Sequence, residues 1–256
     1  VMTSFATYPS LKDCPVVISG GASGIGEAMV RAFAEQGARV GFVDIAAKAG
    51  EALAHELSHK GQQVRFISCD VTDIAAYQSA IAEFARLHGD ALVLVNNAAH
   101  DDRHKWADVT PEDWDRRMAV NLKHAFFAIQ AVAPGMVAAG KGSIINYGSI
   151  SWMILASDIP VYETAKAAAH GLTRAMAREL GASGIRVNSL VPGAIMTRRQ
   201  LDLWVTPESL EAIKANQAIP EALTPEPCAR MALFLAADDS AMITGQQFLV
   251  DGGWAH

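Results

Sequence analysis

From Pro15 to Val250 the chain alternates short, almost continuously apolar runs with stretches of helical spacing, and this alternation constrains the fold more than any other feature. Continuously apolar strands need cover on both faces, and intervening helices supply it, so the pattern predicts a parallel sheet. Strands are expected at 15–19, 39–43, 64–68, 91–95, 143–147, 186–190 and 247–250. Helices are expected at 27–36, 47–59, 73–87, from Thr110 toward Ala139, and at 161–181. Thr110-Pro111-Glu112 reads as a helix start, and Pro134 as the place where that helix kinks. Right-handed crossovers between seven such strands give an α/β, doubly wound, Rossmann-like fold with helices on both faces of the sheet. No linker, repeat or low-complexity stretch interrupts the 256 residues, so a single domain over 1–256 is expected. Only 193–220 breaks the rhythm: it follows a strand end, holds its own short helix, and is expected to cover a ligand as a lid.

Composition excludes several functions. A formal charge of −6 does not suit nucleic acid, whose phosphates demand a basic face. Half the residues are hydrophobic, but no apolar run nears 18 residues, so no membrane span is expected. Val1 to Ser10 lack a basic stretch followed by an apolar one, so no signal peptide is expected either. Cys14, Cys69 and Cys228 are scattered without metal spacing; they read as reduced thiols of a cytoplasmic protein that holds no metal.

The first strand runs directly into Gly20-Gly21-Ala22-Ser23-Gly24-Ile25-Gly26 and then a helix. Glycines let backbone N–H groups approach a pyrophosphate, and the helix N-terminus adds partial positive charge. Asp44 ends the second strand eighteen residues beyond Gly26. A carboxylate there accepts from adenine-ribose hydroxyls and repels a 2′-phosphate. Ser23, Ile45, Ala46 and Ala47 offer no cation for such a phosphate, which favours NAD over NADP. Asp70-Val71, after the third strand, is placed to frame the adenine.

Tyr162 and Lys166 are four apart on an expected helix and so share one face. A free phenol titrates near pH 10, too high for a base at neutral pH, and a neighbouring ammonium lowers that value. Ser149, thirteen residues before Tyr162 and just after a strand, can hold a substrate oxygen. Asn121 falls mid-helix, where asparagine is a poor former; a bent helix holding water is one reason, a plain surface position the other. His55-Glu56-Leu57-Ser58-His59 is a literal His-Glu-x-x-His, which elsewhere binds zinc. Its helix, however, lies between the second and third strands, away from the strand C-terminal ends where such folds bind ligands.

Gly20–Gly26, Asp70, Asn96-Asn97-Ala98-Ala99, Asn121, Ser149, Tyr162, Lys166 and Val191-Pro192-Gly193 together resemble the short-chain dehydrogenase/reductase family over Leu11 to Trp254. That resemblance implies a catalytic tetrad of Asn121, Ser149, Tyr162 and Lys166, with the lysine also holding the nicotinamide ribose and the asparagine anchoring a water. It implies NAD contacts at Gly20, Ser23, Gly24, Ile25, Gly26, Asp44, Ile45, Asp70, Val71, Asn97, Ala98, Ala99, Tyr162, Lys166, Pro192, Gly193, Ile195 and Thr197, and a homotetramer. Ser19, where threonine is usual, and Ala99, where glycine is usual, are the departures.

The loops are more specific. Asp101 to Lys105, Gly148 to Trp152, Tyr162 to Lys166, Thr197 to Gln200, and Trp204 with Thr206-Pro207-Glu208 are similar to the bacterial aldose (D-xylose-type) 1-dehydrogenases. This implies oxidation of a sugar C1 hydroxyl to a lactone. A sugar site needs many polar groups and a flat apolar platform, and His100, Asp101, Ser149, Ser151, Trp152, Tyr162, Gln200 and Trp204 are the candidate substrate contacts. Two other readings stay open. One is a short-chain dehydrogenase acting on another alcohol or ketone; the other, against which both Tyr162 and Lys166 speak, is a non-catalytic NAD sensor.

Overall fold

Five consecutive buried residues, Pro15–Ser19, form β1, which lies inside the sheet with partners on both sides. The computed structural model describes residues 5–255. The first four residues of the segment read for a signal peptide, and the last residue of the expected 1–256 domain, lie outside the described residues. Around β1 the strands β2 (Arg39–Asp44), β3 (Val64–Ser68), β4 (Val93–Asn96), β5 (Gly142–Tyr147), β6 (Ile185–Pro192) and β7 (Gln247–Val250) build one seven-stranded sheet in the order β3-β2-β1-β4-β5-β6-β7. Every pairing is parallel. Strand order reverses between β1 and β4, and a crevice opens there at the strand C-terminal ends.

Helices α1 (Gly24–Glu35), α2 (Ala47–His59), α3 (Ile74–His88), α4 (Pro111–Met118), α5 (His124–Ala139), α6 (Pro160–Leu180), α7 (Arg198–Leu203), α8 (Pro207–Asn216) and α9 (Glu226–Ala236) complete the chain. Met29, Phe33, Leu53, Leu57, Cys228 and Ala232 from α1, α2 and α9 bury one face of the sheet. Tyr77, Phe84, Ile129, Met136 and Ala177 from α3, α5 and α6 bury the other. The sequence reading missed α9, whose near-continuous apolar stretch lacks the polar face that marks a surface helix; it packs between α1 and the sheet end instead. The 193–220 segment holds two helices, α7 and α8, rather than one.

The break in the long fourth helix falls elsewhere than expected. Pro134 sits within α5 and the helix continues through it. The irregularity is a π-helical turn at Ala119–Lys123, centred on Asn121, which joins α4 to α5. Pro111–Ala139 thus runs 29 residues and is long and apolar enough, by length and composition, to cross a membrane. In this fold it is a packing helix: Asn121, His124, Ala128, Ile129, Val132 and Met136 are buried along it.

Candidate active site

At the C-terminal end of β1 the chain turns at Gly20 with φ +68°, and a Cβ there would stand 2.9 Å from the Ala98 Cα. A Cβ on Gly26 would lie 1.7 Å from the Gly20 carbonyl oxygen, so α1 meets this turn more closely than any side chain permits. Ser23, the residue before α1, leaves the first-turn N–H groups without a side-chain cap. An uncapped helix start beneath a glycine turn fits a pyrophosphate, whose oxygens accept from those N–H groups.

Ser19 replaces the expected threonine without loss of bonding: its Oγ accepts from Asn97 N and from Ala98 N, both at 3.1 Å. Asn97 in turn donates through Nδ2 to Ser19 O at 3.1 Å and Gly20 O at 2.9 Å, fastening the β4 end to the glycine turn. Asp44 accepts from Ala22 N (3.0 Å) through one oxygen and Ala46 N (2.9 Å) through the other. A carboxylate has about four acceptor positions, so capacity for ribose hydroxyls remains. Ile45 beside it is 74% exposed, open to a planar ligand. Asp70 Oδ1 accepts from Thr72 N and Thr72 Oγ1, and Val71 is buried.

A cavity of about 480 Å³ opens beside this cradle, within the usual range for small-molecule sites. Ile25, Pro192, Gly193, Ile195 and Thr197, expected at the cofactor, line it together with Ser149, Ser151, Tyr162, Asp101, Gln200 and Trp204. The wall of the lid continues through Met196, Val205, Ser209 and Ile213.

Tyr162 and Lys166 do share a face of α6, with the lysine Nζ 5.6 Å from the phenol ring centroid. Lys166 is 3% exposed and donates to the Tyr147 carbonyl at 2.9 Å, which anchors α6 to the end of β5. Burial pushes the Tyr162 phenol up to about 12; the nearby Asp101 carboxylate raises it further, while the hydrogen bond with Ser149 and the charge of Arg103 oppose this. The dominant effect on the free site is therefore desolvation, and the lowering expected from Lys166 does not stand among its main causes. Burial pulls the Lys166 ammonium down to about 8, with Asp101 opposing. Ser149 Oγ accepts from Ser151 N at 3.1 Å, which holds the side chain at the cavity wall beside Tyr162.

Asn121 is buried, but it spends its side chain on the backbone: Oδ1 accepts from His100 N (2.8 Å), and Nδ2 donates to His100 O and Arg117 O, both at 3.0 Å. It braces the loop after β4 from the π-turn and does not line the cavity. His100 is likewise off the cavity wall, turned toward Asp102 at 3.5 Å. Trp152, expected at the sugar, is not among the residues that line this cavity. The turn after Ser149 is helical, with Met153 N and Ile154 N both donating to Ile150 O. Helical spacing puts Ile150, Ser151 and Ile154 on the cavity side and carries Trp152 away from it. Arg103, in the loop expected at the sugar, lines the cavity, as does Trp254, which was missed. Trp254 follows β7, whose C-terminal end opens on the same crevice as every other strand of a parallel sheet, so its place was available from the topology. Asp251 holds it by accepting from Trp254 N at 3.2 Å.

The loop 101–104 is tied to the lid. Asp101 accepts from Gln200 Nε2 at 2.6 Å, Asp102 from Arg199 at 2.6 Å, and Arg103 lies 5.1 Å over the Trp204 ring. Ser151 Oγ and Trp204 Nε1, on two lining residues, have no protein partner. The zinc-like motif is elsewhere. His55 and His59 Nε2 atoms are 2.9 Å apart on exposed α2, and Glu56 is occupied by Arg31 and Lys60. Among the described residues no cluster of three or more His, Cys, Asp or Glu is placed to hold a metal.

The site's parts recur in known proteins. The family described as enoyl-(acyl carrier protein) reductase matches residues 20–255. The chain is 49% identical over 251 residues to a D-xylose 1-dehydrogenase of Caulobacter vibrioides, covering 98% of this chain and 99% of that one. It is 46% identical over 247 residues to a probable galactose dehydrogenase of Rhizobium meliloti, covering 96% of each. Among solved structures, a putative gluconate dehydrogenase from Agrobacterium tumefaciens superposes with a TM-score of 0.92 at 29% identity, over 97% of this chain and 98% of that one. With the glycine cradle, the Ser149–Tyr162 pair and Lys166 on one crevice, the chain belongs to the short-chain dehydrogenase/reductase family of oxidoreductases.

Proposed function

We propose that the protein oxidises the anomeric C1 hydroxyl of an aldose to the aldonolactone with NAD. The observation that carries this reading is that Ser149 and Tyr162 line one cavity, which is walled by Asp101, Gln200 and Trp204. Polar acceptors and donors beside an indole ring suit a polyhydroxylated ligand with an apolar C–H face. The two sugar dehydrogenases among the relatives support the same class. A bound nicotinamide supplies the hydride acceptor. Tyr162 takes the C1 hydroxyl proton, Ser149 hydrogen-bonds the same oxygen, and Lys166 favours the phenolate once the base is needed. The substrate loses one hydride and one proton, and C1–OH becomes the lactone C=O. A panel of aldoses with NAD, followed by NADH absorbance, tests the reading; activity confined to apolar alcohols or ketones would replace it with the broader dehydrogenase reading.

Asp44 supports NAD over NADP, because its carboxylate sits at the end of β2 with no cation paired to it among the described residues. The expected result is a higher kcat/KM with NAD, and a smaller gap in Asp44→Ala, where repulsion of the 2′-phosphate is gone. Equal efficiency of wild type with both cofactors would sink this assignment.

Trp204 is expected to matter more than Trp152 for the sugar. Removing a half-buried ring from the cavity wall costs on the order of 1.5 kcal/mol, so Trp204→Ala should raise the sugar KM about tenfold. Trp152→Ala should leave it near wild type, since that ring is off the wall. Steady-state kinetics on both variants checks the pair, and the reverse order would refute this account of the pocket.

We also read the protein as a cytoplasmic homotetramer. Cys14, Cys69 and Cys228 are free, which fits a reducing compartment. Trp114, Phe126 and Val137 on α4 and α5 are each more than 40% exposed, which supports a subunit contact along these helices. A monomeric mass by light scattering would overturn the assembly.

A further inference from the structure

Helix α6 carries both Tyr162 and Lys166, yet Ile159, the residue before it, provides no side-chain cap. The first turn of a helix has N–H groups without intrahelical partners. One of them, Val161 N, donates to His104 Nε2 at 3.2 Å, from a residue 57 positions away. His104 makes two more bonds: its backbone N donates to Asp158 O at 2.7 Å, and its Nδ1 lies 2.9 Å from Asp102 O. A carbonyl only accepts and an amide N–H only donates, so the geometry fixes the tautomer. Nδ1 carries the proton, Nε2 is bare, and the ring is neutral.

We propose that neutral His104 is a positioning residue, which caps the helix bearing Tyr162 and locks it to the loop bearing Asp101. The same loop is joined to the lid through Asp101–Gln200 and Asp102–Arg199, so one histidine links catalytic helix, cavity wall and lid. Protonation would place an N–H against the Val161 N–H and a cation at the positive end of the helix, and both oppose the cap. The charged groups on the elements around it are Asp102, with His100 and Arg199; Arg117 on α4, which shares the Asp102 carbonyl and pairs with Asp113; Asp158 in the preceding loop; and Glu163 in the first turn of α6. The named carboxylates outnumber the arginines about the ring, and the bare Nε2 facing Val161 N is what makes the cap.

The test uses His104→Ala and His104→Gln in the full chain. Glutamine can present an acceptor oxygen where Nε2 stands. Hydrogen–deuterium exchange of the peptide containing Val161 should be faster in His104→Ala and restored toward wild type in His104→Gln. His104→Ala should lower kcat about tenfold, the scale of one lost cap, with NADH binding unchanged. His104→Gln should recover most of kcat. Unchanged exchange in His104→Ala, unchanged kcat despite faster exchange, or a glutamine variant as impaired as alanine would each overturn the proposal. It rests on Tyr162 as the base, but the exchange measurement needs no turnover, so it fails separately from that reading.

Discussion

Tyr162→Phe is expected to lose nearly all turnover while still binding the cofactor. Proton transfer by a positioned side chain is worth about 10²–10⁴-fold, and phenylalanine keeps the ring while deleting the oxygen that would take the proton. The glycine cradle and Asp44 lie at the β1 and β2 ends and do not depend on that hydroxyl. Cofactor affinity by NADH fluorescence should therefore stay near wild type. The pH dependence of the wild type follows from the same group. Burial holds the free phenol near 12, so its base form is scarce at neutral pH. Oxidation needs the deprotonated phenol, and its rate should climb as pH rises toward the alkaline range. The reverse reaction needs the protonated phenol and should not climb. Near-normal turnover in Tyr162→Phe would remove Tyr162 from the chemistry.

The fold was legible because its signals are local. Apolar runs such as Val16-Val17-Ile18 and a glycine turn whose Gly26 admits no Cβ leave few alternatives to β1 and α1. Asn121 was legible as an anomaly, and the π-turn around it is the reason. The finer site was less so. Whether a loop residue faces a cavity depends on the pitch of its turn: Ile150 O accepting from Met153 N and Ile154 N is what removes Trp152 from the wall. Trp254 reaches the cavity from far along the chain, and periodicity has no access to such a meeting. A buried relay was equally invisible: Asn96 donates to Asn146 at 2.9 Å, which donates to Thr173 on α6 at 3.0 Å. It pins the catalytic helix to β4 and β5 from within the core.

Lys166→Met should separate what the lysine does for the reaction from what it does for the fold. Methionine retains most of the apolar stem, but loses the ammonium beside the Tyr162 ring and the bond to the Tyr147 carbonyl. Turnover is expected to fall on the order of 10²-fold or more, because no cation of the chain is left at 5.6 Å to favour the phenolate. Unlike Tyr162→Phe, this variant should also weaken cofactor binding, since Lys166 is the proposed contact for the nicotinamide ribose. Stability should move differently. Burial depresses the ammonium from 10.5 to about 8, so between those values the unfolded chain binds more protons than the folded one. Stability linked to Lys166 is therefore fully present above 10.5 and is lost as pH falls to about 8. Below that range the fold carries a buried charge, and the methionine variant should melt no lower than wild type at pH 7. As pH is raised through the window, wild type should gain on the variant. Thermal melts at pH 7 and pH 9.5, read beside turnover and NADH binding, make the comparison. A variant that is inactive only because it melts early at pH 7 would show that Lys166 serves the fold rather than the chemistry.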